Sequence, residues 1–210
     1  MACVESSVQL AESMLRGYAA GAFAMAGAVD GGDGIHWFDP DPRAVLGRDG
    51  LYVSRSLRRT LDSGRFSTTI DRDTEGVIRA CGESAEGRED TWLSPAFMAG
   101  VLVLVEQGWV HSAEAWRDGI LVGGVYGVHM NGVFFAESMF SRPPAGRDAS
   151  KVALVHLVEH CHGRGIELID CQFLTEHLAS LGFVEIAQSQ WRTRLHAALM
   201  RPTVWMGHER

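Results

Sequence analysis

The chain has 210 residues, of which 46% are hydrophobic and 21% are charged, and its formal net charge is −7. This composition is typical of a globular protein with a sizeable core and excludes a largely disordered chain. The acidic balance argues against a protein dedicated to nucleic acid, which is usually basic. Local charge matters more than the sum, however, and segment 43–66 holds six arginines and two acidic residues. That segment is either a solvated helix face or a surface for phosphates.

The cysteines and the N-terminus indicate the compartment. The four cysteines are far apart and form no C-x-x-C pair, so neither a zinc knuckle nor a disulfide framework is expected. Free thiols are typical of a reducing compartment. The sequence shows no secretory signal, and its longest apolar run is far shorter than a membrane span. We therefore expect a cytoplasmic protein that has no membrane partner.

The first half of the chain predicts a small N-terminal unit followed by short elements. Apolar residues at helical spacing predict a helix over 8–20, and the Gly- and Asp-rich stretch 27–34 predicts a loop. Asp39-Pro40-Asp41-Pro42 breaks regular structure, so we expect a small domain at 1–42 and a larger domain at 43–210. The elements predicted next are strands at 44–46, 51–53 and 66–70 and helices at 55–61, 73–80 and 94–106, with a charged loop at 82–90.

The second half predicts a meander followed by alternating helices and strands. Three strands are predicted at 109–116, 120–128 and 133–139, with turns at Asp118-Gly119 and Asn131-Gly132. A loop at 142–147 precedes the elements that complete the chain: a helix at 149–162, a strand at 166–171, a helix at 174–181 and a strand at 183–186. This order predicts an α+β fold in which one mixed sheet is backed by helices.

Polar residues that end an apolar strand are the first candidates for chemistry. Asp170 and Gln172 are two residues apart, so they share one face of the strand while Cys171 faces away. A carboxylate accepts hydrogen bonds and a carboxamide both accepts and donates them, so the pair can hold an amine. An Asp that only caps the next turn explains the pattern equally well.

Other unusual residues lie in the predicted meander. Glu114 and Glu137 stand in largely apolar strands, where a carboxylate must be exposed, paired or functional. Alternation places Glu114 and Trp116 on one face of their strand and His111 on the other. The three glycines of segment 123–127 indicate either a ligand close to the backbone or tight packing against a helix.

The segment His156-Leu157-Val158-Glu159-His160 matches the H-x-x-E-H zinc motif of inverted metallopeptidases. The two histidines are one helical turn apart and could share a metal, but a third protein ligand would have to come from elsewhere. Both lie opposite Leu154 on the helix, so we interpret them as part of a polar face that meets solvent.

Ordered blocks along most of the chain resemble the leucyl/phenylalanyl-tRNA–protein transferases of bacteria. The blocks are Gly21-Ala22-Phe23, 39–46, 54–57, Thr91-Trp92, 111–116, 121–128, 137–141, Ala149-Ser150-Lys151, 168–172 and Ser180-Leu181-Gly182. The resemblance implies a small N-terminal domain and a larger one with the fold of the Gcn5-related N-acetyltransferases. It implies transfer of Leu, Phe or sometimes Met from aminoacyl-tRNA to the N-terminal Arg or Lys of an acceptor protein, which marks that protein for degradation. No metal or other cofactor is implied, and we expect a monomer.

The resemblance also implies roles for single residues. Asp170 and Gln172 would position and activate the α-amine of the acceptor, with Glu137 beside them. The other implied contacts are an apolar pocket for the donor side chain at Val125, Phe134, Leu154 and Ile169, the terminal adenosine at Trp92 and Met25, and tRNA phosphates at Arg43, Arg55, Arg58 and Arg59. Strand alternation separates Phe134 from Glu137, so placing both in one pocket requires a bulge.

Three other functions are weighed against this one. An acyl-CoA N-acyltransferase needs free N–H groups before helix 149–162 to bind a pyrophosphate, and the two prolines of loop 142–147 remove donors there. A zinc peptidase would use His156, Glu159 and His160. A binding module without activity would have no need of Asp170, Gln172 and Glu137.

Overall fold

The computed structural model describes residues 2–29, 32–47, 50–83 and 93–206. The helices in these ranges are α1 (Ala2–Ala20), α2 (Arg55–Asp62), α3 (Thr74–Gly82), α4 (Pro95–Glu106), α5 (Ala149–Gly163), α6 (Glu176–Ala179) and α7 (Gln188–Leu199). The strands are β1 (Phe23–Val29), β2 (Gly32–Phe38), β3 (Arg43–Leu46), β4 (Ser67–Ile70), β5 (Val110–Arg117), β6 (Ile120–Met130), β7 (Val133–Ser141), β8 (Leu168–Gln172) and β9 (Phe183–Ile186). None of the described helices is long and apolar enough to cross a membrane.

The main sheet is mixed. Within the described ranges its strand order is β4-β5-β6-β7-β8-β3-β9, and all neighbours are antiparallel except β7 and β8. A parallel pair needs a crossover connection, which α5 provides here. The predicted α+β class, with one mixed sheet flanked by helices, is confirmed.

Helices cover both faces of this sheet and form two apolar clusters. The first cluster lies under α1, α3, α4 and α7, and its large members include Met14, Tyr18, Phe23, Phe97, Tyr126, Phe135 and Trp191. The second cluster lies under α2 and α5, and its members include Leu57, Val125, Phe134, Leu154, Ile169, Cys171 and Trp205. Since β7 and β8 alternate between the clusters, consecutive residues there face opposite sides of the sheet.

The N-terminal segment differs from the predicted loop. Residues 27–29 and 32–34 belong to an antiparallel strand pair in which Gly27 faces Gly34, so the loop prediction is wrong there. The Gly- and Asp-rich composition did not predict these strands. The hydrogen bonds between two strands use backbone N–H and C=O groups, which glycine supplies like any other residue. Tyr18 of α1 lies in the first cluster, so this segment shares a core with the main sheet. The domain boundary at residue 42 stays a prediction.

The capping residues predicted where two helices begin, whereas other elements were predicted wrongly or not at all. The Ser54 hydroxyl accepts from the Leu57 N–H and the Ser94 hydroxyl accepts from the Phe97 N–H, each at 3.2 Å, so both predicted caps are confirmed. The predicted strand at 51–53 is irregular chain, and α7 was not predicted. Most of the predicted loop at 82–90 lies outside the described residues.

The glycines of β6 are explained by packing. A Cβ atom on Gly123 would lie 2.5 Å from the Ala149 Cβ at the start of α5, and one on Gly127 would lie 2.6 Å from the Phe134 ring. Neither position has room for a side chain, so the packing interpretation holds and no ligand is needed to explain these glycines.

Candidate active site

Strands β7 and β8 pair only at their beginnings and then diverge. The last pair joins Phe135 to Asp170, although β7 continues to Ser141 and β8 to Gln172. Residues 136–139 of β7 are half-buried, unlike the buried residues 133–135 before them. The divergence therefore opens the sheet beside the polar end of β8.

A bulge on β7 lies at this opening. Tyr126 of β6 pairs with Ser138 and Gly127 pairs with Ala136, which leaves Glu137 as the extra residue. The carboxylate of Glu137 interacts with Tyr18 and Tyr126, which belong to the first apolar cluster. The strand therefore contains the kind of bulge that a pocket shared by Phe134 and Glu137 would require.

The shared pocket itself is not formed. Phe134 packs in the second cluster, on the face of the sheet opposite the tyrosines that surround Glu137. Phe134 and Glu137 therefore lie on opposite faces of the sheet, as strand alternation predicted, because the bulge changes the face only of the residues that follow Glu137.

Asp170 is held by a buried arginine. The Arg43 Nε donates to Asp170 Oδ1 at 3.1 Å and to Oδ2 at 3.0 Å, and its Nη2 donates to Oδ2 at 2.8 Å. The Gln172 N–H donates to Oδ1 at 2.7 Å. Both charged side chains are 0% exposed. Since its oxygens already accept these bonds, Asp170 is fitted to orient its neighbours.

The position of Arg43 requires a correction. Its guanidinium lies 4.2 Å from the centroid of the Trp191 ring and 5.0 Å from that of Phe23, and its Nη1 donates to the Gly21 carbonyl at 3.3 Å. A side chain with no exposed surface cannot meet a tRNA phosphate, so the role expected for Arg43 is wrong. Arg55, Arg58 and Arg59 are exposed on α2, and their phosphate contacts stay predictions.

The two carboxylates differ in their electrostatics. Burial, reinforced by the nearby Asp170 carboxylate, raises the pKa of Glu137 to about 8, while Tyr18 and Arg43 oppose that shift. Burial also raises the pKa of Asp170 above its ordinary value, and the bonded Arg43 opposes it. Glu137 therefore exchanges a proton near neutral pH, whereas the charge of Asp170 is compensated by its partner.

Two buried polar groups at the opening have no hydrogen-bonding partner among the described residues, the Tyr126 hydroxyl and Gln172 Nε2. The Tyr18 hydroxyl, in contrast, bonds to the Glu137 carboxylate, and the Trp191 indole N–H bonds to Asp170. Leaving such an atom unsatisfied costs about 1–3 kcal/mol. The backbone of Gln172 also has a φ of 63°, which is strained for a residue other than glycine. Unpaired polar groups and backbone strain cluster at functional sites, and here they can receive a polar ligand.

The residues expected to bind the donor side chain do come together. Val125, Phe134, Leu154 and Ile169 all belong to the second cluster and are at most 2% exposed. Ile169 precedes Asp170 on β8, so this apolar group lies next to the polar opening but on the other face. Its role in binding a side chain stays a prediction.

The expected adenosine contacts are less defined. Trp92 lies outside the described residues, and Met25 is half-buried on β1 against the first cluster. An aromatic group that the sequence did not predict lies close by. The Phe173 ring, which is 46% exposed, lies 5.5 Å from Phe23 and 6.4 Å from Phe38, centroid to centroid. Its place directly after Gln172 was the available signal.

The H-x-x-E-H motif and the thiols offer no second centre of chemistry. The ring of His160 lies 4.5 Å from that of Trp205, and its Nε2 donates to the Trp205 carbonyl at 3.0 Å, so the expected solvent-facing position is wrong for His160. Within residues 2–29, 32–47, 50–83 and 93–206, no group of His, Cys, Asp and Glu is arranged to hold a metal. Burial raises the pKa of the Cys161 thiol to about 12 and that of Cys171 further, which keeps both protonated.

Comparison with known proteins gives consistent matches. A family profile described as leucyl/phenylalanyl-tRNA protein transferase matches residues 45–196. The leucyl/phenylalanyl-tRNA–protein transferase of Paramagnetospirillum magneticum is 45% identical over 195 residues, or 93% of this chain and 91% of that protein. The protein of the same name from Ruegeria pomeroyi is 46% identical over 188 residues, or 90% of this chain and 86% of that protein.

The solved structures that match are more distant. A PaiA N-acetyltransferase from Thermoplasma acidophilum covers 48% of this chain and 75% of its own, at 16% identity and a TM-score of 0.35. The L-PGS of Bacillus licheniformis covers 80% of this chain and 55% of its own, at 12% identity and a TM-score of 0.43.

Proposed function

The chain belongs to the leucyl/phenylalanyl-tRNA–protein transferases, and we propose that it moves Leu, Phe or Met from aminoacyl-tRNA to the N-terminal Arg or Lys of an acceptor protein or peptide. The new N-terminal residue would mark the acceptor for degradation through an N-degron pathway. We further propose that it works as a monomer in the cytoplasm, without a metal or other cofactor. The observation that carries the proposed chemistry is the place of the Glu137 carboxylate, on a bulge at the opening between β7 and β8 and close to Asp170 and the unpaired Gln172 Nε2.

Glu137 suits the activation of an α-amine. The α-ammonium group has a pKa of about 7.7–8.0, and the pKa of Glu137 is about 8. Because these values match, a proton passes from the ammonium to the carboxylate at little free-energy cost. The free amine then attacks the carbonyl carbon of the aminoacyl ester. The new C–N bond forms and the ester C–O bond breaks, and the attacking nitrogen gives its second proton to the departing 3′-oxygen of the tRNA. Glu137 then releases the proton that it accepted to the solvent.

Asp170 and Gln172 would prepare the carbonyl group for this attack. Asp170 binds the Gln172 N–H and the Arg43 guanidinium, so it fixes the strained backbone at the end of β8. The buried Gln172 Nε2 has no acceptor among the described residues. It can donate to the carbonyl oxygen of the ester, on which negative charge develops during the attack. Asp170 is therefore a positioning residue in this proposal, and proximity supplies much of the remaining rate.

The substrates fit the charges and apolar groups of the site. An acceptor that begins with Arg or Lys brings positive charge to an opening with two carboxylates and one compensating cation. The apolar group of Val125, Phe134, Leu154 and Ile169 would take the donor side chain. Such a pocket separates similar side chains by only about 1–3 kcal/mol per methylene, which is consistent with several donors. Arg55, Arg58 and Arg59 would bind the tRNA backbone.

The test is transfer of label from radiolabelled leucyl-, phenylalanyl- and methionyl-tRNA to a peptide that begins with Arg. An N-acetylated peptide and acetyl-CoA as the donor serve as negative controls. Transfer should occur to the free peptide only and should be strongly reduced in Glu137→Gln and Gln172→Ala.

Glu114→Gln is the matched variant, because Glu114 is another carboxylate of the sheet with a raised pKa but is bonded to Thr69 and Ser112 away from the opening. It should keep its activity. Failure of the wild-type protein to transfer from all three donors would overturn the proposal.

A further inference from the structure

Trp205 belongs to the second apolar cluster but does not lie on a strand of the sheet. It lies on the segment after α7, beyond the residues that the family profile matches. Trp205 is only 5% exposed, and its ring stacks on the Phe134 ring with 5.3 Å between centroids and 21° between planes. It stacks on His111 on another side, at 4.4 Å and 15°.

Two further histidines hold this segment, residues 202–206, which we term the C-terminal strap. His160 of α5 donates to the Trp205 carbonyl, and His129 Nε2 lies 2.8 Å from the Thr203 hydroxyl. The strap is thus fixed by α5 on one side and by β6 on the other. These contacts also account for the second histidine of the H-x-x-E-H motif, which the proposed reaction does not use.

Trp205 contacts Phe134 on the face of the sheet opposite Glu137. Phe134 precedes Glu137 by three residues on β7, or about 10 Å along an extended strand. Its ring is confined on one side, where a Cβ atom on Gly127 would lie 2.6 Å away. Trp205 confines another side. The Phe134 ring therefore has little room to move while the strap is in place.

We propose that Trp205 forms the floor of the donor pocket and limits the size of the amino acid that the enzyme accepts. This inference rests on the proposed function. The four pocket residues are at most 2% exposed, so a donor side chain enters only if they withdraw. Phe134 can withdraw only as far as Trp205 allows. Trp205 is thus a positioning residue that acts through Phe134 and sets the depth of the pocket.

The test is a competition between leucyl-tRNA and phenylalanyl-tRNA for one Arg-peptide, with different labels on the two amino acids. The ratio of the two kcat/KM values does not depend on the amount of folded enzyme. Trp205→Ala should raise the ratio of Phe to Leu by about tenfold, the effect of roughly one methylene of pocket depth, and Trp205→Leu by less. Trp205→Phe, which keeps an aromatic floor, should stay within about twofold of the wild type.

Val204→Ala is the matched control, because Val204 belongs to the same strap but is 66% exposed. It should leave the ratio unchanged. An unchanged ratio in Trp205→Ala, or in Trp205→Leu where the alanine variant does not fold, would overturn the inference and leave Trp205 a purely structural residue. Absence of transfer by the wild-type protein would instead overturn the proposed function.

Discussion

Replacing Arg43 by methionine removes the cation that faces Asp170 but keeps an apolar stem against Trp191 and Phe23. The variant loses three hydrogen bonds to a carboxylate that is 0% exposed. Removing one partner of a buried ion pair costs about 3–5 kcal/mol. At about 2–4 °C per kcal/mol for a chain of this size, the midpoint of thermal unfolding should fall by roughly 6–20 °C.

The loss should also depend on pH. Burial already raises the pKa of Asp170, and removing Arg43 raises it further, because the cation opposes that shift. A carboxyl group whose pKa is raised on folding stabilises the protein at low pH, and this contribution is lost as pH rises through the folded-state value. Arg43→Met should therefore be more destabilised, relative to the wild type, at pH 8 than at pH 5.

Urea unfolding followed by circular dichroism at both pH values measures these differences. Arg192→Met is the control, because its ion pair with Asp39 is exposed, at 45% and 36%, and such pairs contribute about 0–1 kcal/mol. An Arg43→Met variant destabilised no more than Arg192→Met would refute the idea that Arg43 compensates Asp170.

Four further predictions follow from the site and the sheet. Glu137→Gln should lower kcat/KM by roughly 10²-fold, and the wild-type value should rise with pH through about 8, because the ionised carboxylate is the base. In urea unfolding above pH 8, the same variant should be more stable than the wild type. The wild-type Glu137 is ionised there in an unfavourable environment, which lowers the free energy of unfolding, whereas Gln stays neutral. Gly123→Ala should destabilise by about 1–3 kcal/mol because its Cβ would meet α5, whereas Gly163→Ala, which would meet nothing within 4 Å, should be neutral or stabilising. Combined replacement of Arg55, Arg58 and Arg59 by Gln should raise the KM for aminoacyl-tRNA and reduce the slope of binding against salt by about one per lost phosphate contact, as filter binding at several salt concentrations can show.

The sequence predicted the class of fold and the order of most elements because these depend on local patterns. Strand alternation in 109–141, helical spacing in 149–162 and the caps Ser54 and Ser94 each involve residues close together in the chain. It could not assign α7, whose buried side chains, Trp191 and Leu195, are set by tertiary contacts more than by a continuous stripe.

The same limit applies to the site. The prediction that Asp170 and Gln172 share one face of the strand, with Cys171 on the other, follows from the period of a strand. The partner of Asp170 does not, because Arg43 lies 127 residues away in the chain and is one of several arginines in a basic segment. Only the packing of β3 beside β8 shows that this arginine is buried while Arg55, Arg58 and Arg59 are exposed.

The position of β3 has a consequence for the synthesis of the protein. β3 is translated early, yet both of its neighbours in the sheet, β8 and β9, come from the last fifth of the chain. Until they emerge from the ribosome, the strand that carries Arg43 has no hydrogen-bonding partners on either edge, and the guanidinium has no carboxylate to pair with. Trp191, which covers that guanidinium, emerges later still. The polar centre of the enzyme can therefore form only after residues 168–191 have emerged, so a nascent chain that stops before them carries no assembled site with which to modify other proteins.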